Sequence, residues 1–343
     1  DEAIEIFSRL NKGGKTLQKA DIEAARLARV ATENILPQMR SFIDLPLVKP
    51  YKLSMLFLTR ALATIHRDDS GFSKGSNLKN FWANKNGKIV DDSWHIVESG
   101  LKTILNFIKT DMGWCDRRWL PSVNSLIPIL YYMKFKRSKG LNRKEMDCIR
   151  KYLCWTACRK IFHGSVESTI NRFIRQIRKH RLNPQLLLDT IPQYEKREIT
   201  ADEIEFESRM ISPLTQVYLA YLISKKAKSW GSGYQLSKAD SSSKGLTLSV
   251  HHIFPVNQFI EHGKNLNYAN SLANYAIIFQ ADNSAIKDKL PGDMYEEGSI
   301  NTRKQADMQL MVDRSYFGSF DDYPDFRGER SRKMANELNA FLA

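Results

Sequence analysis

The sequence predicts a mainly α protein: a helical domain over about residues 22–228, followed by a small α+β domain over 229–343. Three observations predict it. Apolar residues recur at three- and four-residue spacings in six stretches between 54 and 227, the period of a helix with one face in a core. Past Lys228 that period is lost in "SWGSGYQLSKADSSSKG", which is rich in Gly and Ser. Two short strand-like runs then appear, Leu246 to Ile253 and Tyr275 to Phe279, before a helix-like start at "ADNSAIKDKL".

Taken in order, the chain opens at Asp1 inside the helix-like run "DEAIEIFSRL" without an initiator Met, so it reads as a piece of a longer protein. The nearby "NKGGKT" imitates the end of a phosphate loop. The first glycine of G-x-x-x-x-G-K-[ST] would fall at Arg9, however, and the segment before it is helix-like where a strand is needed. Gly13-Gly14 is better read as a turn between helices. The helical stretches are "SMLFLTRALATI", "HIVESGLKTILNFI", "VNSLIPILYYMKF", "MDCIRKYLCWTACRKIF", "STINRFIRQIRKH" and "PLTQVYLAYLISKKA". Breaks are expected at Pro46 and Pro50, from Asp68 to Lys88, at Gly140, at Gly164 and from Pro184 to Pro192. No fixed-period repeat points to a solenoid. The Gly/Ser-rich stretch after Lys228 reads as a linker or mobile loop, and "RSRKMANELNAFLA" as a last helix.

Composition narrows the function classes. The chain carries 52 basic and 38 acidic residues, a net charge of +14. Such an excess fits a polyanionic partner, nucleic acid above all, with general solubility as the bland alternative. No run approaches the roughly 18 apolar residues of a membrane span and no signal peptide is visible, so a cytoplasmic protein without a membrane partner is expected. Cys115, Cys148, Cys154 and Cys158 form no CxxC pair; reduced thiols are the default, and Cys154 and Cys158 read as core packing. The segment "RFIRQIRKHR" sets Arg172, Arg175, Arg178 and Lys179 around an apolar stripe. It reads equally as a phosphate-tracking face and as a solvated one.

The chemistry-bearing stretch is "TLSVHHIFPVNQF". If His251 and His252 end a strand, their side chains point to opposite faces, so one imidazole can ligate a metal while the other faces a substrate. Downstream, Asn274 opens the second strand-like run and Asn283 opens the following helix. Strand with His, strand with Asn, helix with Asn is the order of a ββα-metal nuclease site. Taken singly, each residue favours a plainer reading: a satisfied histidine pair, or turn and cap asparagines.

"VHHIFP" followed by "NSLANYAIIFQADNSAIKDKLP" resembles the C-terminal HNH nuclease domain of the GmrSD type of modification-dependent restriction endonucleases. "EAIEIFSRLNKGGKTLQKADI" is similar to the end of that family's N-terminal ParB/sulfiredoxin-like NTPase domain, which assigns residues 1–21 to a mostly missing domain. "WLPSVNSLIPILYYM" and "IFHGSVESTINRFIRQI" resemble segments of its helical middle region. Two departures stand out: the family's DGQQR-like nucleotide motif is absent, and its first site position, often Asp, is His251 here.

The resemblance implies a metal-dependent DNA endonuclease or nicking enzyme in bacterial defence against phage or modified foreign DNA. His252 would be the general base, and Asn274 would brace the His-bearing loop. His251 and Asn283 would hold Mg²⁺ or Mn²⁺, while Lys287 and Lys289 are candidates for phosphate contact or simple surface charge. NTP would act only through the missing N-terminal domain, and a homo-oligomer is compatible with the sequence. The alternatives are a DNA-binding adaptor built on a degenerate HNH fold and a structural zinc site drawing on His262.

Overall fold

The computed structural model describes residues 35–68, 87–138, 140–296, 298, 303–317 and 319–343. The expectations for residues 1–21, including the Gly13-Gly14 turn and the phosphate-loop lookalike, lie outside them. Contacts divide the described residues into two units: those within 1–106, 122–152 and 161–191 form the first, and those within 107–121, 153–160 and 192–343 the second. The described residues are mainly helical, with a single two-stranded sheet among them. None of their helices is long and apolar enough to cross a membrane.

The helices that begin in the first unit are α1 Ile35–Asp44, α2 Met55–Arg67, α3 Gly87–Met112, α4 Leu126–Met133, α5 Arg143–Cys158, α6 Val166–His180 and α7 Leu186–Asp189. Local signals set several ends. Ser54 caps α2 by accepting from the Phe57 amide at 3.2 Å, and Asp68 ends it in the left-handed region at φ 62°. Asn142 and Glu145 cap α5 reciprocally, at 3.0 and 2.8 Å between side chain and amide. The buried Glu145 carboxylate also accepts from Tyr132 and Lys136. Burial works to raise its pKa, but these bonds outweigh it and hold the carboxyl below its ordinary range. Every residue of α4, "LIPILYYM", is buried, as expected of a helix apolar all round. Helix α6 is instead amphipathic, burying Ile170, Phe173, Ile174 and Ile177; Phe173 meets Tyr152 edge-on at 5.3 Å.

The second unit adds α8 Ala201–Glu205, α9 Pro213–Ser224, β1 Leu248–His252, α10 Val256–Glu261, α11 Leu266–Ala269, β2 Tyr275–Phe279, α12 Gln280–Ile286, α13 Pro291–Glu296, α14 Arg303–Met308 and α15 Tyr323–Leu342. Strands β1 and β2 pair antiparallel, with His251 opposite Ala276 and His252 opposite Tyr275. One sheet face joins Ala276 and Ile278 to a core with Ile253, Ile286 and Trp230. Helix α15 starts seven residues before the "RSRKMANELNAFLA" stretch, because Pro324 stands at its first turn, where a missing N–H costs nothing.

Two sequence expectations change. The stretch after Lys228 is no linker: Trp230 is fully buried in the unit's core, Lys228 bridges to Gln235, and Gly233 turns the chain at φ 68°. Its Gly/Ser content serves a tight turn that drops an indole into that core. The expected boundary at 228/229 also falls inside the second unit, which takes in α8 and α9. The physical reason lies in their hydrogen bonds. Asn339 on α15 bonds both backbone groups of Ile199, at 2.8 and 2.9 Å, and Tyr218 on α9 donates to the Gln309 carbonyl at 2.6 Å.

Candidate functional site

β-branched and aromatic residues make β2, "YAIIF", a good strand, and its register with β1 decides where the histidines go. Ser249 and His251 share the sheet face on which α12 packs, while His252 points to the other side. Asn283, one turn into α12, reaches back to both residues of that face. Its Nδ2 donates to Ser249 Oγ at 3.0 Å, which turns its Oδ1 toward His251 Nδ1 at 2.8 Å. The sequence-expected metal pair, His251 and Asn283, is thus brought into direct contact.

His251 is 4% exposed, and its Nε2 is buried without a hydrogen-bond partner. Its ring meets Trp230 edge-on at 5.9 Å. Burial pushes its pKa down to about 4, only partly opposed by the bond to Asn283. The imidazole is therefore neutral near pH 7, the state a metal ligand requires. Because a carboxamide oxygen only accepts, the 2.8 Å contact is a hydrogen bond from His251 Nδ1–H to Asn283 Oδ1, and the Nδ1 lone pair is unavailable while it is made. A carboxamide oxygen and an imidazole nitrogen are donor types a hard ion such as Mg²⁺ or Mn²⁺ accepts, provided the ring proton moves from Nδ1 to Nε2. Among the described residues no group of three or more His, Cys, Asp or Glu converges as a closed zinc shell would need. His262 is exposed, bonds the Gln258 carbonyl at 2.8 Å and stacks on Phe320.

His252 is half-buried, and its ring packs edge-on against Tyr275 at 5.1 Å. Its Nε2 lies 3.1 Å from Asn270 Oδ1. A carboxamide oxygen only accepts, so Nε2 carries the proton and Nδ1 keeps the lone pair. Burial lowers the His252 pKa, and the Asn270 bond acts in the opposite sense.

Asn274 is fully buried at the end of a short 3-10 turn, one residue before β2. Its Oδ1 accepts from the Phe254 amide at 2.8 Å, and its Nδ2 donates to the Phe254 and Ala269 carbonyls at 3.0 and 2.9 Å. These bonds fix the chain just past the histidines.

Three contributors escape the sequence reading. Asn270 sits in "YANSLAN" with no spacing that ties it to His252. Ser249 is an ordinary strand residue until Asn283 meets it. Asp282 accepts from Ser229 Oγ, and from the Ser232 amide and hydroxyl at 2.9 Å, pinning the "SWGSG" turn to α12. A Cβ on Gly231 would lie 2.7 Å from the Asp282 carboxylate, so this close approach requires glycine.

The expected DNA contacts divide between the units. Lys287 is exposed just after α12, at φ 57°, and Lys289 is half-buried two residues on. Arg175, Arg178 and Lys179 are exposed on α6 of the first unit, while Arg172 is half-buried with its guanidinium 5.7 Å from the Phe173 ring centre. No family model matches this sequence, and none of the curated proteins matches it.

Proposed function

We propose that the second unit carries a ββα-metal site that hydrolyses phosphodiester bonds in DNA, nicking or cutting it, and that the protein acts in bacterial defence. The observation that carries this reading is the meeting of His251 on β1 with Asn283 on α12, beside a second histidine held in one tautomer.

The chain's own groups divide the work. His252 Nδ1 takes the proton from an attacking water, so that its oxygen can bond to phosphorus in line with the departing sugar oxygen. Asn270 keeps the opposite nitrogen protonated and therefore keeps Nδ1 the acceptor. Asn274 holds the backbone that positions both histidines. Lys287 supplies favourable charge for the DNA backbone on this unit, and the basic face of α6 does so separately on the first. His251 and Asn283 would hold Mg²⁺ or Mn²⁺, whose role when bound is to offset phosphoryl charge.

The near-complete burial of His251 favours one second reading, in which a degenerate site only grips DNA. Plasmid nicking with Mg²⁺ or Mn²⁺ decides between them. On the nuclease reading His252→Ala lowers nicking by roughly 10² to 10⁴ and leaves DNA binding in EDTA intact. Equal nicking by wild type and variant removes His252 as the base. Absence of metal-dependent nicking by the wild type favours the adaptor.

A further inference from the structure

A cavity of about 390 Å³ in the second unit is walled by the C-terminal end of α5, the chain from Glu195 through α8 to Glu207, and the start of α9. None of its lining residues belongs to the histidine site. Two guanidiniums meet there on one carboxylate oxygen: Glu203 Oε1 accepts from Arg159 at 2.9 Å and from Arg197 at 2.8 Å. Arg159 also donates to the Arg197 and Glu198 carbonyls, at 2.5 and 3.0 Å, which draws the end of α5, and Lys160 with it, up to this segment. Both terminal nitrogens of Arg159 are thereby committed. Arg197 is freer: its side chain is 59% exposed, and one of its nitrogens alone is engaged. Lys160 is exposed, and its ammonium has no hydrogen-bond or ion-pair partner among the described residues. Of the acidic lining, Glu203 is shared by the two arginines and Glu207 is paired with Arg209 at 3.3 Å. Glu195 is then the one unpaired carboxylate against two open cations.

Phe206, directly after α8, adds an open aromatic face. It is 70% exposed, and the only aromatic or cationic group near its ring among the described residues is the Arg327 guanidinium, 5.9 Å from the ring centre. Guanidinium and ammonium donors beside an open ring suit a phosphate that carries a flat heterocycle. The same segment is bonded to the histidine hairpin. The Glu207 carbonyl accepts from the Leu272 amide at 2.9 Å, and the Ser208 carbonyl from the Tyr275 hydroxyl at 2.9 Å. Tyr275 is the residue whose ring packs edge-on against His252. One tyrosine side chain thus joins the segment that walls the cavity to the proposed base, so a strand held at one can reach the other.

We infer that this cavity binds one nucleotide of an unpaired strand, its phosphate on Lys160 and Arg197 and its base on Phe206, and so holds that strand beside His252. Stacking on Phe206 requires an unpaired base, since in a duplex the base is held inside the stack. The inference takes the polymer from the nuclease reading, but its test needs no cleavage.

The experiment measures anisotropy binding, in EDTA, of a short labelled single strand and of an abasic strand of equal length. Wild type is expected to bind the base-bearing strand roughly tenfold more tightly than the abasic one. Phe206→Ala removes that preference and Phe206→Trp retains it, while Tyr234→Ala, which truncates another exposed aromatic of the unit, leaves it unchanged. Lys160→Ala and Arg197→Ala weaken both strands, and each lowers the slope of log affinity against log salt by about 1. Glu195→Gln tightens both strands, because it removes a charge that repels phosphate. All of these side chains but Glu195, which is half-buried, are exposed, so their replacement leaves the fold in place. Equal wild-type affinity for base-bearing and abasic strands overturns the inference, as does a base preference that survives Phe206→Ala. Weaker binding by Glu195→Gln also overturns it, since the cavity would then favour cations. Displacement of the strand by free deoxyadenosine monophosphate at strand-like concentrations would make this a mononucleotide pocket and overturn it too. His252→Ala should bind like wild type, so failed nicking alongside intact base preference counts against the nuclease reading alone.

Discussion

Arg330 and His251 are both buried polar side chains packed about the same hairpin, yet they are treated oppositely. Arg330, on α15, is fully buried, and all three guanidinium nitrogens donate: Nε to the Leu310 carbonyl, one terminal nitrogen to Ala273, and the other to Tyr275, Gln309 and the Tyr218 hydroxyl. Burial works against its charge, which a guanidinium nevertheless keeps. The cluster closes on itself, as a structural clamp must. His251 bonds Asn283 on one side and leaves Nε2 buried and unpaired on the other. An unpaired nitrogen in a packed core costs local stability, as it does for the indole N–H of the neighbouring Trp230.

The largest expected effect tests the closed cluster. Arg330→Met keeps much of the volume but strands several buried carbonyls, and should cost about 3 to 5 kcal/mol of unfolding free energy in urea titration. A loss under about 1 kcal/mol would mean that water replaces the guanidinium and the contrast with His251 is false. Next comes Asn274→Ala, which removes three hydrogen bonds from a fully buried side chain. It should cost about 2 to 3 kcal/mol and abolish nicking. A variant of unchanged stability and activity would show that the loop after His252 needs no brace.

Much of this was legible in the sequence where cause and effect are local. The run from Tyr275 to Phe279 matches β2, the run from Leu246 to Ile253 encloses β1, and "SMLFLTRALATI" coincides with α2 behind its Ser54 cap. His251, Asn274 and Asn283 lie near element ends, at the penultimate residue of β1, just before β2 and at the fourth residue of α12. Asn270 was not legible, since a carboxamide that fixes a tautomer 18 residues away has no spacing rule. Arg330 was hidden more deeply: its partners are mostly backbone carbonyls, which every residue owns. The burial of Trp230 is not legible because the Gly/Ser composition of a tight turn resembles that of a linker, and the Asp282 that pins the turn lies 50 residues beyond Ser232.

The smallest expected effect is the most discriminating. His251→Leu removes an imidazole that satisfies only one of its nitrogens and fills its space with apolar volume, so at pH 7 in EDTA stability should change by less than about 1 kcal/mol. The same substitution should remove any gain in thermal stability on adding Mn²⁺, since one of the two ligands is gone. Acid titration supplies an independent arm. The folded His251 holds its pKa near 4 while the unfolded residue titrates near its ordinary 6.5, so between those values the unfolded chain binds the extra proton. His251 therefore contributes stability that is fully present above about pH 6.5 and is lost as pH falls toward 4. Leucine cannot take that proton, so the variant should unfold with a shallower pH dependence across this window than wild type, both measured in EDTA. Identical slopes would place His251 in contact with water, satisfy its Nε2, and erase the distinction between an open cluster and a closed one.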